Sequence, residues 1–275
     1  MPFSHIKKLF YFFKHFILIK FISEIIEPEQ VLLKKIKFKS SLDVGSHFGY
    51  YTQFLLNRSD KVISIDPLDY MIKFQKLIFF FTSKIKFYNF ALGEKNSITN
   101  IYVPLANKFY NDSASSLIPS TNSLKKKIYI RNGDKLLKNN NNIDFIKIDV
   151  EGYELEVIIS LIKTIKKNNP TLLIEILPIK FSNAKKEKIL QIFKILTKLD
   201  YEIYYCQKLS KLMKINLKDI KRKILSKNFK LIFKKSKQDE KKYKFLKNKK
   251  YIINYFFIPK KEIYNSQIEI KKYYK

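Results

Sequence analysis

The stretch Leu42-Asp43-Val44-Gly45-Ser46-His47-Phe48-Gly49 decides how this chain of 275 residues folds. Its apolar start reads as the end of a buried strand, and Tyr50-Tyr51-Thr52 opens a helical pattern behind it. Gly45 and Gly49 stand between the two, where glycine permits a positive φ or a close approach to the backbone. The chain has only five glycines, so two within one octet single this turn out. A strand–turn–helix of this kind is where open α/β sheets hold nucleotides. The spacing is D-x-G-x-x-x-G rather than G-x-G-x-x-G, and an acid ends the strand.

Outward from the octet, short β-rich runs alternate with helical stretches. The strands read as Ser41–Val44, Lys61–Ile65, Ile85–Tyr88, Asp144–Ile148, Thr171–Ile176, Glu202–Tyr205 and Ile252–Ile258. Helices are expected over Tyr50–Asn57, Leu68–Phe80, Tyr153–Lys167 and Ala184–Lys198. The alternation predicts an α/β fold, a mostly parallel sheet with helices on both faces. A β excursion at Ile98–Val103 and a polar loop, Asn107–Ser123, interrupt it where a substrate lid could be inserted.

A carboxylate at Asp43 would repel a pyrophosphate and suits a ligand bearing positive charge. Asp66 ends the next strand, where an acid can bind both hydroxyls of a ribose. A nucleoside with a cationic tail and no phosphate is S-adenosyl-L-methionine. Asp43, Gly45, Gly49 and Asp66 are therefore the first cofactor-binding candidates, and His47 joins them as a loop residue able to hydrogen-bond the ligand.

The composition narrows the partners. Lys and Arg number 55 against 24 acids, a formal charge of +31. Arginine occurs only at Arg58, Arg131 and Arg222, and nucleic-acid readers favour arginine for its bidentate fork. Nucleic acid is thus a secondary candidate partner. An aromatic content of 15% excludes a disordered polycation. One cysteine, Cys206, and three scattered histidines argue against a disulfide framework and a sulfur or imidazole metal centre. The expected compartment is the cytoplasm, with the inner face of an anionic membrane as a site of peripheral attachment.

Residues 1–38 read as accessory helices, 39–260 as the catalytic domain and 261–275 as a basic tail. Lysines interrupt the apolar N-terminal segment, so neither a membrane span nor a signal peptide is expected. Ser4, Lys7, Lys8, Lys14 and His15 fall on one helical face, with Leu9, Phe12, Phe13 and Phe16 elsewhere; the apolar side could dock on the core or lie on a membrane. After Cys206 the chain carries 23 basic residues and 5 acids. Leu209–Lys230 has helical spacing, which predicts a lysine-rich helical insertion over about 207–250. A solvated helix face and a patch for an anionic ligand both fit that stretch.

The run from Asp43 to Thr52 resembles the first motif of the FkbM-type methyltransferase family. Asp66-Pro67, Asn89-Phe90-Ala91-Leu92-Gly93, Ser113–Leu117, Ile143–Glu154, Pro170–Glu175 and Asn254–Pro259 are similar to its later blocks, in order, over about residues 30–260. The resemblance implies a Rossmann-like class I methyltransferase with a seven-stranded sheet. It also implies S-adenosylmethionine-dependent O-methylation, often of glycans or secondary metabolites, and adds Asn89 and Ala91 to the cofactor site. The chain departs from the family at His47, where asparagine is usual, and in the lysine-rich insertion.

A hydroxyl acceptor must lose a proton as it attacks a sulfonium methyl group, so the site needs a base. Candidates are acids at the carboxyl ends of the central strands: Asp149, Glu151 and Glu175. An acid within Leu172-Leu173-Ile174-Glu175-Ile176 needs a partner or a task, and an ion pair with Lys147 is the structural alternative to catalysis. Asp149 and Glu175 are also oxygen ligands of the kind Mg²⁺ takes, although no resident metal is expected. The expected acceptor is a sugar hydroxyl of a polysaccharide or glycolipid precursor, or another small molecule. RNA methylation and a non-catalytic membrane-surface adaptor are the alternatives.

Overall fold

The computed structural model describes residues 11–22, 27–106, 109–110, 117, 122–140, 142–176, 183–208, 211–225, 231–232, 251–252 and 254–261. The chain begins with a helix over residues 11–17 (α1) that continues as a π-helical turn, Leu18–Ile22. Next come α2 (Pro28–Leu33), β1 (Phe38–Val44), α3 (Tyr50–Leu56), β2 (Ser59–Ile65), α4 (Asp69–Ile78) and β3 (Ile85–Tyr88). The excursion follows as β4 (Ala91–Leu92), β5 (Ser97–Ala106), β6 (Phe109–Tyr110), β7 (Ser123–Arg131) and α5 (Gly133–Leu136). The second half holds β8 (Ile143–Ile148), α6 (Glu154–Ser160), α7 (Ile162–Asn168), β9 (Thr171–Glu175), α8 (Asn183–Lys198), β10 (Tyr201–Lys208) and β11 (Lys211–Ile215). The chain ends with α9 (Leu217–Leu225), β12 (Leu231–Ile232), β13 (Tyr251–Ile252) and β14 (Asn254–Pro259).

The main sheet runs β11-β10-β14-β9-β8-β1-β2-β3. The pairs among β3, β2, β1, β8 and β9 are parallel, and β14 enters antiparallel between β9 and β10. This is the mostly parallel α/β sheet that the strand spacing predicts, in the Rossmann-like arrangement that the family resemblance implies. Central strands are apolar on both faces because helices cover both. Leu42, Phe145, Ile146, Leu172 and Phe257 are fully buried. The β excursion forms a separate small sheet, β4-β7-β5-β6.

Three expectations change. An eighth strand, β11, joins the seven expected, and it occupies part of the stretch read as helical from Leu209. Its hairpin with β10 satisfies that edge of the sheet, and this tertiary pairing overrides the helical spacing. Helix then follows as α9; the rest of the insertion lies largely outside the described residues. Tyr153–Lys167 is two helices, divided at Leu161. The N-terminal helix docks on the domain: Phe12 packs on Phe48 and Phe74, and His15 stacks on Phe48 at 3.8 Å. His15 therefore faces inward rather than with the polar side, and Phe13 is exposed. His5, Ser115, Ser116 and the tail beyond Lys261 lie outside the described residues. No helix among the described residues is long and apolar enough to cross a membrane.

Candidate active site

Because β1, β2, β8 and β9 are parallel, their carboxyl ends open together, and a cavity of about 290 Å³ lies there. That is close to the lower end of the roughly 300–1,000 Å³ range of small-molecule sites. One wall is Ile65, Asp66, Pro67 and Leu68; Phe90, Ala91 and Leu92 continue it, with Ile101 and Leu117 from the excursion. Gly45 and His47 form the floor, and Asp149, Glu151, Tyr153 and Glu175 close the far end.

The glycine turn is shaped by its neighbours. Gly45 has φ +80°, and a Cβ there would stand 1.8 Å from the Asp149 carbonyl oxygen. The close approach at this glycine is thus made by Asp149, the residue that follows β8. Gly49 (φ +88°) caps α3, and its Cβ would meet Phe79 and Gln75 of the α4 region. It does not line the cavity. A buried polar clamp holds the turn from behind: Gln75 Nε2 donates to the His47 carbonyl (2.7 Å) and to Ser46 Oγ (2.8 Å). Ser64 Oγ lies 2.8 Å from both Ser46 Oγ and Gln75 Oε1.

The acids divide into two sets. Asp66 accepts the backbone N–H of His47 and of Leu68, each at 2.9 Å, which fixes its carboxylate on the cavity wall. Asn89 donates to the Asp66 and Pro67 carbonyls at 3.1 and 3.0 Å, bracing that turn from outside the cavity. Asp43 is buried behind the turn and accepts the Thr52 hydroxyl at 2.6 Å. Burial raises its pKa to about 6, against the pull of Thr52 and Lys147. Asp43 and Asn89 therefore shape the site without lining it, unlike Gly45, His47, Asp66 and Ala91.

At the far end Lys147, 4% exposed, lies 2.9 Å from Asp149 and 3.9 Å from Glu175. Burial pushes Glu175 up to about 9, and the Asp149 charge adds to this. Burial acts the same way on Asp149, but the Lys147 ammonium and hydrogen bonds from Lys147 and Glu175 outweigh it and hold Asp149 below the usual range. The pair therefore shares one proton near neutral pH, with the negative charge on Asp149. Glu151 completes a group of three acids whose ligand oxygens lie within 4.8 Å of one another.

Among the described residues six non-glycine residues have positive φ, and four of them are Asn or Asp, which tolerate it. The other two, His47 (φ 50°) and Glu151 (φ 53°), both line the cavity. Strained backbone gathers at functional sites. His47 Nε2 is buried with no hydrogen-bond partner among the described residues, and burial lowers the ring's pKa to about 4, leaving it neutral. Sequence reasoning missed Gln75, Ser64 and Tyr153. A glutamine on the apolar face of α4, beside Met71, Ile72 and Ile78, was the available signal for the first.

These residues fit an adenosyl sulfonium ligand. Apolar walls suit a base, Asp66 has acceptor capacity for ribose hydroxyls, His47 Nε2 seeks a partner, and the far end carries net negative charge. The class defined by fold and site is a Rossmann-like methyltransferase domain. The profile of the methyltransferase FkbM domain matches residues 43–203, more than half of the chain, which belongs to that family. S-adenosylmethionine is the cofactor of this domain.

Among solved structures, the methyltransferase FkbM from Methylobacillus flagellatus is similar over 68% of this chain, at 18% identity and TM-score 0.41. This chain spans 43% of that protein's length. A precorrin-6y C5,15-methyltransferase from Geobacter metallireducens is 7% identical, with TM-score 0.42, covering 84% of this chain and 86% of its own. Aeropyrum pernix fibrillarin, solved with natively bound S-adenosyl-L-methionine, is 10% identical over 83% of this chain and 73% of its own, with TM-score 0.40. No curated protein matches the chain.

Proposed function

We propose that this chain transfers the methyl group of S-adenosylmethionine to a hydroxyl of a sugar in a polysaccharide or glycolipid precursor. The observation that carries the reading is one cavity joining Asp66, on backbone amides, to an acid pair poised on a buried lysine. When bound, the cofactor supplies an electrophilic methyl group on a positively charged sulfur. Gly45, His47, Asp66 and Ala91 would hold it, with Asp43, Gly49 and Asn89 fixing the turns that carry them.

At the other end Asp149 is the candidate base. It is ionised at neutral pH, and its side chain is 33% exposed against 15% for Glu175. Glu175, protonated below about pH 9, donates to Asp149 and orients it. Lys147 compensates the charge that remains. Glu151, at the rim, is placed to accept a hydrogen bond from the acceptor. A positioned base is worth about 10²–10⁴-fold, and alignment of the reacting atoms about 7–11 kcal/mol. The sugar itself rests on the family resemblance.

The test is transfer of labelled methyl from S-adenosylmethionine to fractionated cell material. Label in the glycan or glycolipid fraction, resistant to nuclease and lost in Asp149→Asn, supports the reading. Label in RNA, or label that persists in Asp149→Asn, contradicts it.

A further inference from the structure

The end of the sheet away from the cavity carries an apolar patch ringed by lysines. Helix α4 stops at Phe79, whose N–H donates to the Gln75 carbonyl, and the chain turns through Thr82 N–H to the Phe79 carbonyl. This turn leaves Leu77 67%, Phe80 65% and Phe81 86% exposed, with the two phenyl rings 3.6 Å apart. Isolated exposed apolar residues are ordinary, but contiguous ones mark a contact surface. Ile36, 40% exposed, precedes β1 at the same end. Its segment flanks the start of β2 on one side, through Phe38 N–H to the Arg58 carbonyl; Val62 N–H to the Lys84 carbonyl brings in the other.

The surrounding charge is of one sign. Lys34, Lys35 and Lys37 surround Ile36, and Lys76, Lys84 and Lys86 flank the phenylalanines; all six are exposed. Lys20 of the N-terminal π-helical turn lies over the Phe79 ring, adding a cation beside them. Asp60 is an exposed acid in this neighbourhood. Large apolar tips inside a ring of lysines match a bilayer interface. The rings enter the headgroup–acyl boundary while the long lysine stems reach anionic headgroups.

We propose that this end of the sheet, through Leu77, Phe80 and Phe81, docks on an anionic lipid bilayer. The cavity then faces away from the membrane, because it lies at the carboxyl ends of the same parallel strands. Strand β1 has seven residues, so the sheet measures about 20 Å from end to end; Phe80 and Phe81 lie past the end of α4, whereas Leu77, two residues after the Gln75 that reaches the His47 carbonyl, marks the margin of the patch nearer the cavity. On the methyl-transfer reading above, a lipid-linked acceptor must therefore extend well beyond its headgroup, as an oligosaccharide does.

The chain has no tryptophan, so full-length Phe81→Trp gives a single reporter at the patch. With vesicles of phosphatidylcholine containing phosphatidylglycerol, its emission should shift to the blue and be quenched by brominated acyl chains. Pure phosphatidylcholine vesicles should give little change, and high salt should weaken the response. Adding Phe80→Ser and Leu77→Ser should reduce vesicle affinity at least tenfold while cofactor affinity stays within a few fold. Vesicle binding with no emission shift would place attachment elsewhere on this basic chain and overturn the proposal. A shift driven by protein concentration alone, or by RNA, would overturn it in favour of those partners. Cofactor affinity is read in the same samples, so failure here is distinguishable from failure of the methyl-transfer reading.

Discussion

The two ends of the central sheet are built on opposite terms. At the carboxyl ends of β1, β2, β8 and β9 the polar side chains are largely buried and, the His47 ring apart, tied to one another. A glutamine and two serines clamp one turn, backbone amides hold Asp66, and a lysine stands between two acids. At the amino ends the exposed residues are large and apolar or cationic. Four acids, Asp66, Asp149, Glu151 and Glu175, line the cavity where a cationic ligand would sit, and the lining includes no lysine, Lys147 being buried behind two of those acids. A net charge of +31 thus coexists with a negative site. Substitutions should be costly at the first end and nearly free at the second.

Gly45→Ala should have the largest effect. Its Cβ would overlap the Asp149 carbonyl at a φ of +80°, and the backbone just past β8 would have to move. A loss on the order of 3 kcal/mol or more is expected in chemical denaturation. Lys147→Met comes next, because it leaves Asp149 and Glu175 side by side without a cation. Removing one partner of a buried pair costs about 3–5 kcal/mol, read by the same measurement. Should either variant match the parent, the carboxyl end is less constrained than its contacts imply.

Gln75→Leu removes the clamp but keeps the volume and leaves Ser46, Ser64 and the His47 carbonyl short of partners. A loss of about 1–3 kcal/mol is expected, together with weaker cofactor binding as the turn loosens. At the other end, Phe80→Ser with Phe81→Ser should change stability by less than about 0.5 kcal/mol. A large loss there would show those rings to be structural and would erase the contrast between the ends.

The acid pair sharpens the comparison through pH. Glu175 is raised to about 9 in the folded state, so the folded protein holds this proton longer than the unfolded chain does. That contribution is fully present below the unfolded value near 4.5 and is lost as pH rises towards 9. Glu175→Gln removes the titration, so its melting temperature should fall less than the parent's between pH 5 and 9. Parallel curves would mean that Glu175 is not protonated in the folded state.

Much of this was legible in the residues. Each of the seven strands read from the pattern is present, because buried parallel strands leave continuous apolar runs between helical stretches. The glycine octet and Asp66 were legible for the same local reason: the turn demands glycine, and the next strand must end beside it. What escaped is long-range. Asp43 looked like a ligand contact, yet Thr52, nine positions on, turns it behind the loop. Gln75 meets Ser46 across 29 positions, and no local period encodes that contact. His15 sat on the polar face of a helix drawn alone, but the Tyr50 hydroxyl, 2.6 Å from its ring nitrogen, and the Phe48 ring draw it inward. Strand β11 exists because β10 offers an open edge.

The account stands on an adenosyl donor bound between Asp66 and the Asp149–Glu175 pair. Calorimetry with S-adenosylmethionine on the parent and on Asp66→Ala, with circular dichroism to show that the variant is folded, tests it most directly. One site per chain is predicted in the parent, with affinity falling about 10- to 100-fold in the variant as charge-assisted hydrogen bonds are lost. Equal affinity in the two folded proteins, or no binding by the parent, would contradict the assignment.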